Sequence, residues 1–292
     1  MRRRAVTPTA IPRCRRRRGA RAWPQALALA AGLLAAAPAQ AQTVERDSRD
    51  TLRVCADANL LPFSNADGAG FENRLAELLG ASLGIPVVYT WWPQTMGFLR
   101  NTLRARECDL VMGISAGHEL VLNTNPYYRS VYALVYRRSL GIEIDSLAHP
   151  LAGDLRIGVV EKTPAVSLLR HYGYDNFEPY QLTTDTRAHQ PAREMLEHVA
   201  AGRLDAAIVW GPIAGYFAPR QAVPLTVVPL VREPESVRLA FHITMGVRHG
   251  ELRWKHTLNA FIRDHTAEIR ALLAEYGVPQ LDADGRVLEA SR

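Results

Sequence analysis

Gly113-Ile114-Ser115-Ala116-Gly117 is a literal G-x-S-x-G run. Where such a run does chemistry, a strained strand-to-helix turn presents the serine beside backbone N–H donors that hold an oxyanion. An apolar segment precedes it and residues 119 to 122 would open a helix, so a Ser115 hydrolase is one reading. Asn123-Thr124-Asn125-Pro126 cuts that helix short, no His-Gly-Gly motif comes before it, and nothing among the nine histidines marks a base. Two glycines flanking a serine are explained equally well by close backbone approach. Metal chemistry has less to stand on, because His-Glu-x-x-His and a cysteine cluster are missing and Asp282-Ala283-Asp284-Gly285 lacks the later oxygen ligands of a calcium loop. No G-x-x-x-x-G-K phosphate loop occurs either. The residues therefore imply no metal and no cofactor, and they favour binding over catalysis.

The first 41 residues hold nine Arg and no acid, then the apolar run 26 to 37, then Ala39-Gln40-Ala41 as a small-x-small cleavage site. That is the pattern of a secretory leader cut near Ala41, and Pro38 and Gln40 interrupt the run before it reaches membrane-spanning length. Without those nine, 26 Lys and Arg face 29 Asp and Glu, so the formal charge moves from +6 to about −3. No basic patch remains to hold nucleic acid. No later apolar run spans a membrane, so the product is expected to be soluble and exported. Cys14 leaves with the leader, and Cys55 and Cys108 remain as an even pair. An oxidising compartment favours joining them. Against that, both sit at predicted strands, whose register would have to bring their Cα atoms within about 6 Å.

Positioning falls to alternating strands and helices. Residues 52 to 56 read as a strand, 57 to 70 as a loop, and Phe71, Leu75, Leu78, Leu79 and Leu83 recur at helical spacing up to Gly84. Strands follow at 87 to 92 and 109 to 113, with a helix over 98 to 106 that Thr95 would cap. Residues 131 to 136 form a further strand leading into a crossing segment, after which a second series begins. It holds a strand at 156 to 160, a helix starting at Thr163-Pro164, a helix around Met195 and Leu196, a strand at 206 to 210, a short helix at 212 to 217 and a strand at 225 to 231. A strand at 239 to 247 returns, 251 to 276 reads as one long helix, and the residues after Gly277 as a surface tail. The class is α/β with two lobes about a central cleft, lobe one being 43–137 plus 238–292 and lobe two 138–237. In such sheets ligands sit beyond the carboxyl ends of the strands, which points to Asp57, Phe63, Trp91, Trp92 and Ser115.

Leu52 to Asp57 with Pro62-Phe63, Gly70-Phe71-Glu72, Cys108 to Gly113, Pro126-Tyr127-Tyr128, Leu155 to Val159 and Asp205 to Tyr216 together resemble a type II periplasmic substrate-binding protein. More narrowly, Arg53 to Asp57, Tyr89 to Gln94, Pro126 to Ser130 and Met245 to Arg248 resemble the MoxJ/XoxJ type, encoded beside quinoprotein alcohol dehydrogenases. The resemblance implies a non-catalytic accessory to a PQQ-dependent methanol or alcohol dehydrogenase. It also implies a Thr163 that matches the family's threonine at a helix N-terminus, where free N–H groups suit an anion or where the residue is a plain cap. Amino-acid-binding members carry an Arg after the third strand, where Ser115-Ala116-Gly117-His118 has none. They also carry an Asp where this chain has Trp210. Both charge anchors are missing, so Trp210, Phe63 and Trp91 would line a cleft for an apolar or aromatic ligand or an inserted partner side chain. An ABC-importer receptor for an uncharged or aromatic molecule is the alternative.

Overall fold

The computed structural model describes residues 49–182 and 185–288; the expected leader lies outside them. β1 (Leu52–Ala56) is buried along almost its whole length, as a strand covered on both faces must be. It pairs in parallel with β4 (Val87–Trp91) on one side and β5 (Leu110–Ser115) on the other. Between β1 and β4 the chain forms a short hairpin, β2 (Asn59–Leu60) and β3 (Ser64–Asn65), and the helix α1 (Phe71–Leu83). Phe71, Leu75, Ala76 and Leu79 of α1 face the sheet, and Gly84 ends the helix in the left-handed conformation, φ 70°, that glycine adopts without cost.

β6 (Leu122–Arg137) is the spine of the molecule, a 16-residue strand. Its first half pairs antiparallel with β11 (Ala240–Val247), and its second half with β9 (Ala206–Trp210) and β10 (Leu225–Pro229). The sheet continues through β7 (Ile157–Val160) to β8 (Phe177–Tyr180), giving the order β4-β1-β5-β11-β6-β9-β7-β8. Separate apolar cores hang on the two halves of β6. One gathers Leu52, Phe71, Leu110, Tyr128 and Met245 with α6 (Leu252–Asp264) and α7 (Thr266–Glu275). The other side holds α3 (Pro164–His171), α4 (Pro191–Ala200) and α5 (Gly211–Phe217) over β7 and β9. This is the two-lobed α/β architecture expected of a type II binding protein.

Four local expectations need correction. α2 covers only Phe98–Asn101 behind Gly97, not Thr95, because Thr102 turns its hydroxyl back onto the Phe98 carbonyl and competes with the helix. The strand expected at 131–136 begins already at Leu122: a register shift between Ile243 and Thr244 lets β6 run through Pro126, the bulge being where a ladder tolerates proline. The C-terminal helix is broken at His265, where the Thr266 hydroxyl takes the Ile262 carbonyl. The tail after Gly277 is docked, with Val278 and Leu281 buried and Arg129 donating to the Asp282 and Ala283 carbonyls. The β2–β3 hairpin and β8 carry no alternation long enough to read from sequence. Among the described residues, no helix is long and apolar enough to cross a membrane.

Candidate functional site

Asp57 follows β1 directly, and its carboxylate is spent on the chain itself. One oxygen accepts the Asn59 N–H at 2.9 Å, the other the Gln94 N–H at 2.7 Å. Ser64 closes the loop, its hydroxyl donating to the Asp57 carbonyl at 2.8 Å. Asp57 thus anchors the hairpin. The hairpin reaches the opposite side of the molecule: Asn59 donates to the Thr186 carbonyl at 2.6 Å and accepts from the Gln190 amide at 2.7 Å.

Trp210 ends β9 and begins α5. Its half-buried indole packs edge-to-face on Tyr132 at 5.4 Å and on Phe241 at 5.9 Å. Phe63 adjoins the group through Phe71, which packs at right angles to Tyr128. Tyr128 in turn lies within hydrogen-bonding reach of Trp210 and in the field of Glu72. Glu72 sits in the first turn of α1, its carboxyl pressed so closely against Gly113 that a Cβ there would lie 2.3 Å from its oxygen. Gly113 also needs a positive φ of 72° and donates its N–H to the Tyr127 phenol at 3.1 Å. Burial drives the Glu72 carboxyl up to about 8. Burial, reinforced by Glu72, holds the phenols of Tyr127 and Tyr128 well above the usual range. The site therefore sets a group of rings beside one carboxyl whose ionised form burial disfavours. Sequence reading did not single out Glu72, which reads as an ordinary first-turn acid, nor Tyr127, Tyr128, Tyr132 and Phe241, which fit an ordinary core pattern.

Thr163 precedes α3 but does not cap it with its side chain, because its hydroxyl donates to the Val160 carbonyl at 2.6 Å. Lys162 beside it adopts φ 59°, an uncommon conformation for a side-chain-bearing residue. Together they face an open cleft of about 850 Å³, lined also by Arg170, Phe177, Arg238 and Phe241. Arg238 lies over the Phe241 ring at 4.8 Å, so Phe241 joins this cleft to the Trp210 cluster.

Ser115 closes β5 opposite Ile243. The chain then turns, with the Val121 N–H on the His118 carbonyl, and enters β6 directly. The strand-turn-strand path lacks the helix start that a nucleophile elbow requires. Trp91 and Trp92 are not gathered with Trp210. They lie at the outer edge of the sheet, Trp91 stacked on Tyr89 at 4.7 Å. Cys55 and Cys108 form a disulfide with Cα atoms 5.4 Å apart. The register concern does not apply, because Cys55 pairs with Val111 while Cys108 lies before the strand, where the Asp109 N–H reaches the Arg53 carbonyl. Among the described residues, no group of three His, Cys, Asp or Glu converges to hold a metal ion.

No protein-family model matches the chain. Protein MoxJ of Methylorubrum extorquens is 30% identical over 91% of this chain and 97% of its own length. Protein MoxJ of Paracoccus denitrificans is 31% identical over 86% of this chain and 95% of its own. Among solved structures, the periplasmic binding protein XoxJ from Methylobacterium extorquens AM1 superposes with a TM-score of 0.67 and 38% identity, covering 79% of this chain and 99% of that one. These relatives are binding proteins of one kind, and the chain belongs to their family, the MoxJ/XoxJ periplasmic binding proteins.

Proposed function

We propose that this chain is an exported, non-catalytic periplasmic protein that assists the maturation or activation of a PQQ-dependent methanol or alcohol dehydrogenase by taking a segment of it into the aromatic cleft. The observation that carries the reading is the packing of Trp210 with Tyr132 and Phe241, Trp210 being the residue that by resemblance replaces the Asp of amino-acid-binding members. Rings packed edge-to-face with one exposed side offer apolar area at little entropic cost, which suits an inserted side chain better than a zwitterion. Two lobes that meet where β6 passes from one core to the other, near Ser130 and Val131, would close on it, with β11 crossing beside them near Ala240. The bonds of Asn59 with Thr186 and Gln190 fit a closed arrangement. Residues 1–41 would direct export.

A host strain lacking this chain tests the role. The reading expects dehydrogenase protein to accumulate with sharply reduced activity, restored by the wild-type chain but not by Trp210→Ala. Full activity without the chain would end it.

One observation favours a second reading, a solute receptor of an importer. The cleft of about 850 Å³ falls within the range of small-molecule sites. A thermal shift with an aromatic solute, together with no effect on the dehydrogenase, would move the assignment there.

A further inference from the structure

The outer edge of β4 is a surface that the cleft does not use. β4 stands first in the sheet order and pairs with β1 alone. Leu52 donates its N–H to the Pro86 carbonyl, and Trp92 donates its N–H to the Ala56 carbonyl. Positions 86 and 92, and by the two-residue alternation of the ladder 88 and 90, therefore turn their backbone groups toward β1. Val87, Tyr89 and Trp91 turn theirs outward. An edge of this kind is a template for another strand unless proline, a bulge or an inward charge blunts it, and Val87–Trp91 contains none of these.

Exposed apolar side chains lie along this edge, and an arginine-bearing segment is seated against it. Trp91 and Trp92 are 36% and 40% exposed, Val88 is 43% exposed, and Met96 beyond them 86%. The Thr90 hydroxyl donates to the Glu107 carbonyl at 2.8 Å and so seats the segment after α2 against β4. That segment presents Arg100, Arg104 and Arg106, all exposed, with no ion pair formed by any of the three among the described residues. The acids facing this surface are Glu107 within the segment and Glu77, whose field reaches Tyr89, so the three arginines outnumber them.

We propose that this edge docks an extended, acidic segment of a partner protein by strand addition. The outward N–H and C=O groups of Val87, Tyr89 and Trp91 supply the ladder, Trp92 and Met96 the apolar contact, and the arginines the charge that selects an acidic strand. The surface is distinct from the cleft, and it stands or falls independently of the dehydrogenase.

The test uses the whole mature chain and a short synthetic peptide alternating glutamate and valine, with a lysine-valine peptide as counterpart. Binding is followed by tryptophan fluorescence and by amide hydrogen exchange. The glutamate-valine peptide is expected to bind, to slow exchange at Val87, Tyr89 and Trp91, and to weaken with salt. Tyr89→Pro removes one outward N–H at a position where an edge strand accepts proline, and should weaken binding by about tenfold or more. The surface variant Arg100→Glu with Arg104→Glu, both side chains exposed, should do the same. Absence of binding by the acidic peptide, equal binding of the lysine peptide, or unchanged affinity in the arginine variant would overturn the proposal.

Discussion

Replacing Glu72 by Gln should change how stability depends on pH more than it changes the fold. Burial raises the folded-state carboxyl from 4.5 to about 8, whereas the unfolded chain keeps the ordinary value. A group raised in the folded state gives stability that is full below the unfolded value and is lost as pH rises through the folded one. The wild type should therefore lose stability between about pH 4.5 and pH 8. At roughly 1.4 kcal/mol per pH unit, the whole shift would remove about 3 kcal/mol by pH 7. Two features reduce that figure. Glu72 keeps some solvent access, and it lies in the first turn of α1, where the helix dipole favours the ionised form. A realised loss of about 1 to 2 kcal/mol is the working value. The assay is urea unfolding across this range for wild type and Glu72→Gln, followed by tryptophan fluorescence. The wild-type midpoint should fall with pH while that of the variant stays nearly level, so the two curves cross or converge. Parallel curves would show that Glu72 does not titrate there and would refute the argument.

Three further outcomes follow from the same geometry. The disulfide joins cysteines 53 residues apart, so Cys55→Ser with Cys108→Ser should cost up to about 4 kcal/mol by the chain-entropy estimate, read as a lower thermal midpoint matched by reductant on the wild type. Asp109 is buried, which alone would raise its carboxyl, yet the hydrogen bonds from Arg53 and Arg248 hold it below the ordinary value. Its stabilisation is present at neutral pH and lost as pH falls through the acid range. Asp109→Asn should therefore cost about 3 kcal/mol near pH 7 and flatten the acid limb of the unfolding curve. Asn59→Ala should remove the side-chain bond to the Thr186 carbonyl while the Gln190 amide keeps the Asn59 main-chain carbonyl, and small-angle scattering should show a larger radius of gyration than for the wild type.

Much of the fold was legible because parallel strands and their helices carry long apolar runs. β1 and β9 could be placed from the apolar runs at 52–56 and 206–210, and α1 and α4 from the spacing of Phe71, Leu75 and Leu79 and from the Met195–Leu196 pair. The hidden parts depend on pairing. Nothing local announces that β6 would run through Pro126, because the bulge that admits it is set by β11. Likewise 251 to 276 has the period of one helix, and the break at His265 comes from docking the tail and α7 onto the first core. The site was legible in kind but not in membership. Trp210 was visible because a large ring stood where a charge was expected. The hold of Asp57 on the hairpin was not legible, because strand-end position does not reveal that its carboxylate accepts the Asn59 and Gln94 N–H groups. Glu72 was quoted only as part of a motif, since a first-turn acid is an ordinary helix start; its packing against Gly113 emerges only when β5 is laid beside α1.

The central claim is that the aromatic cleft holds a segment of a PQQ-dependent dehydrogenase. The most direct measurement is the affinity of the immobilised mature chain for the purified dehydrogenase of its own host, for wild type and for Trp210→Ala with its fold verified by circular dichroism. The account predicts saturable binding by the wild type and a loss of about tenfold or more in the variant, in line with removal of a buried aromatic anchor. Equal binding by both proteins, or none by the wild type, would contradict it.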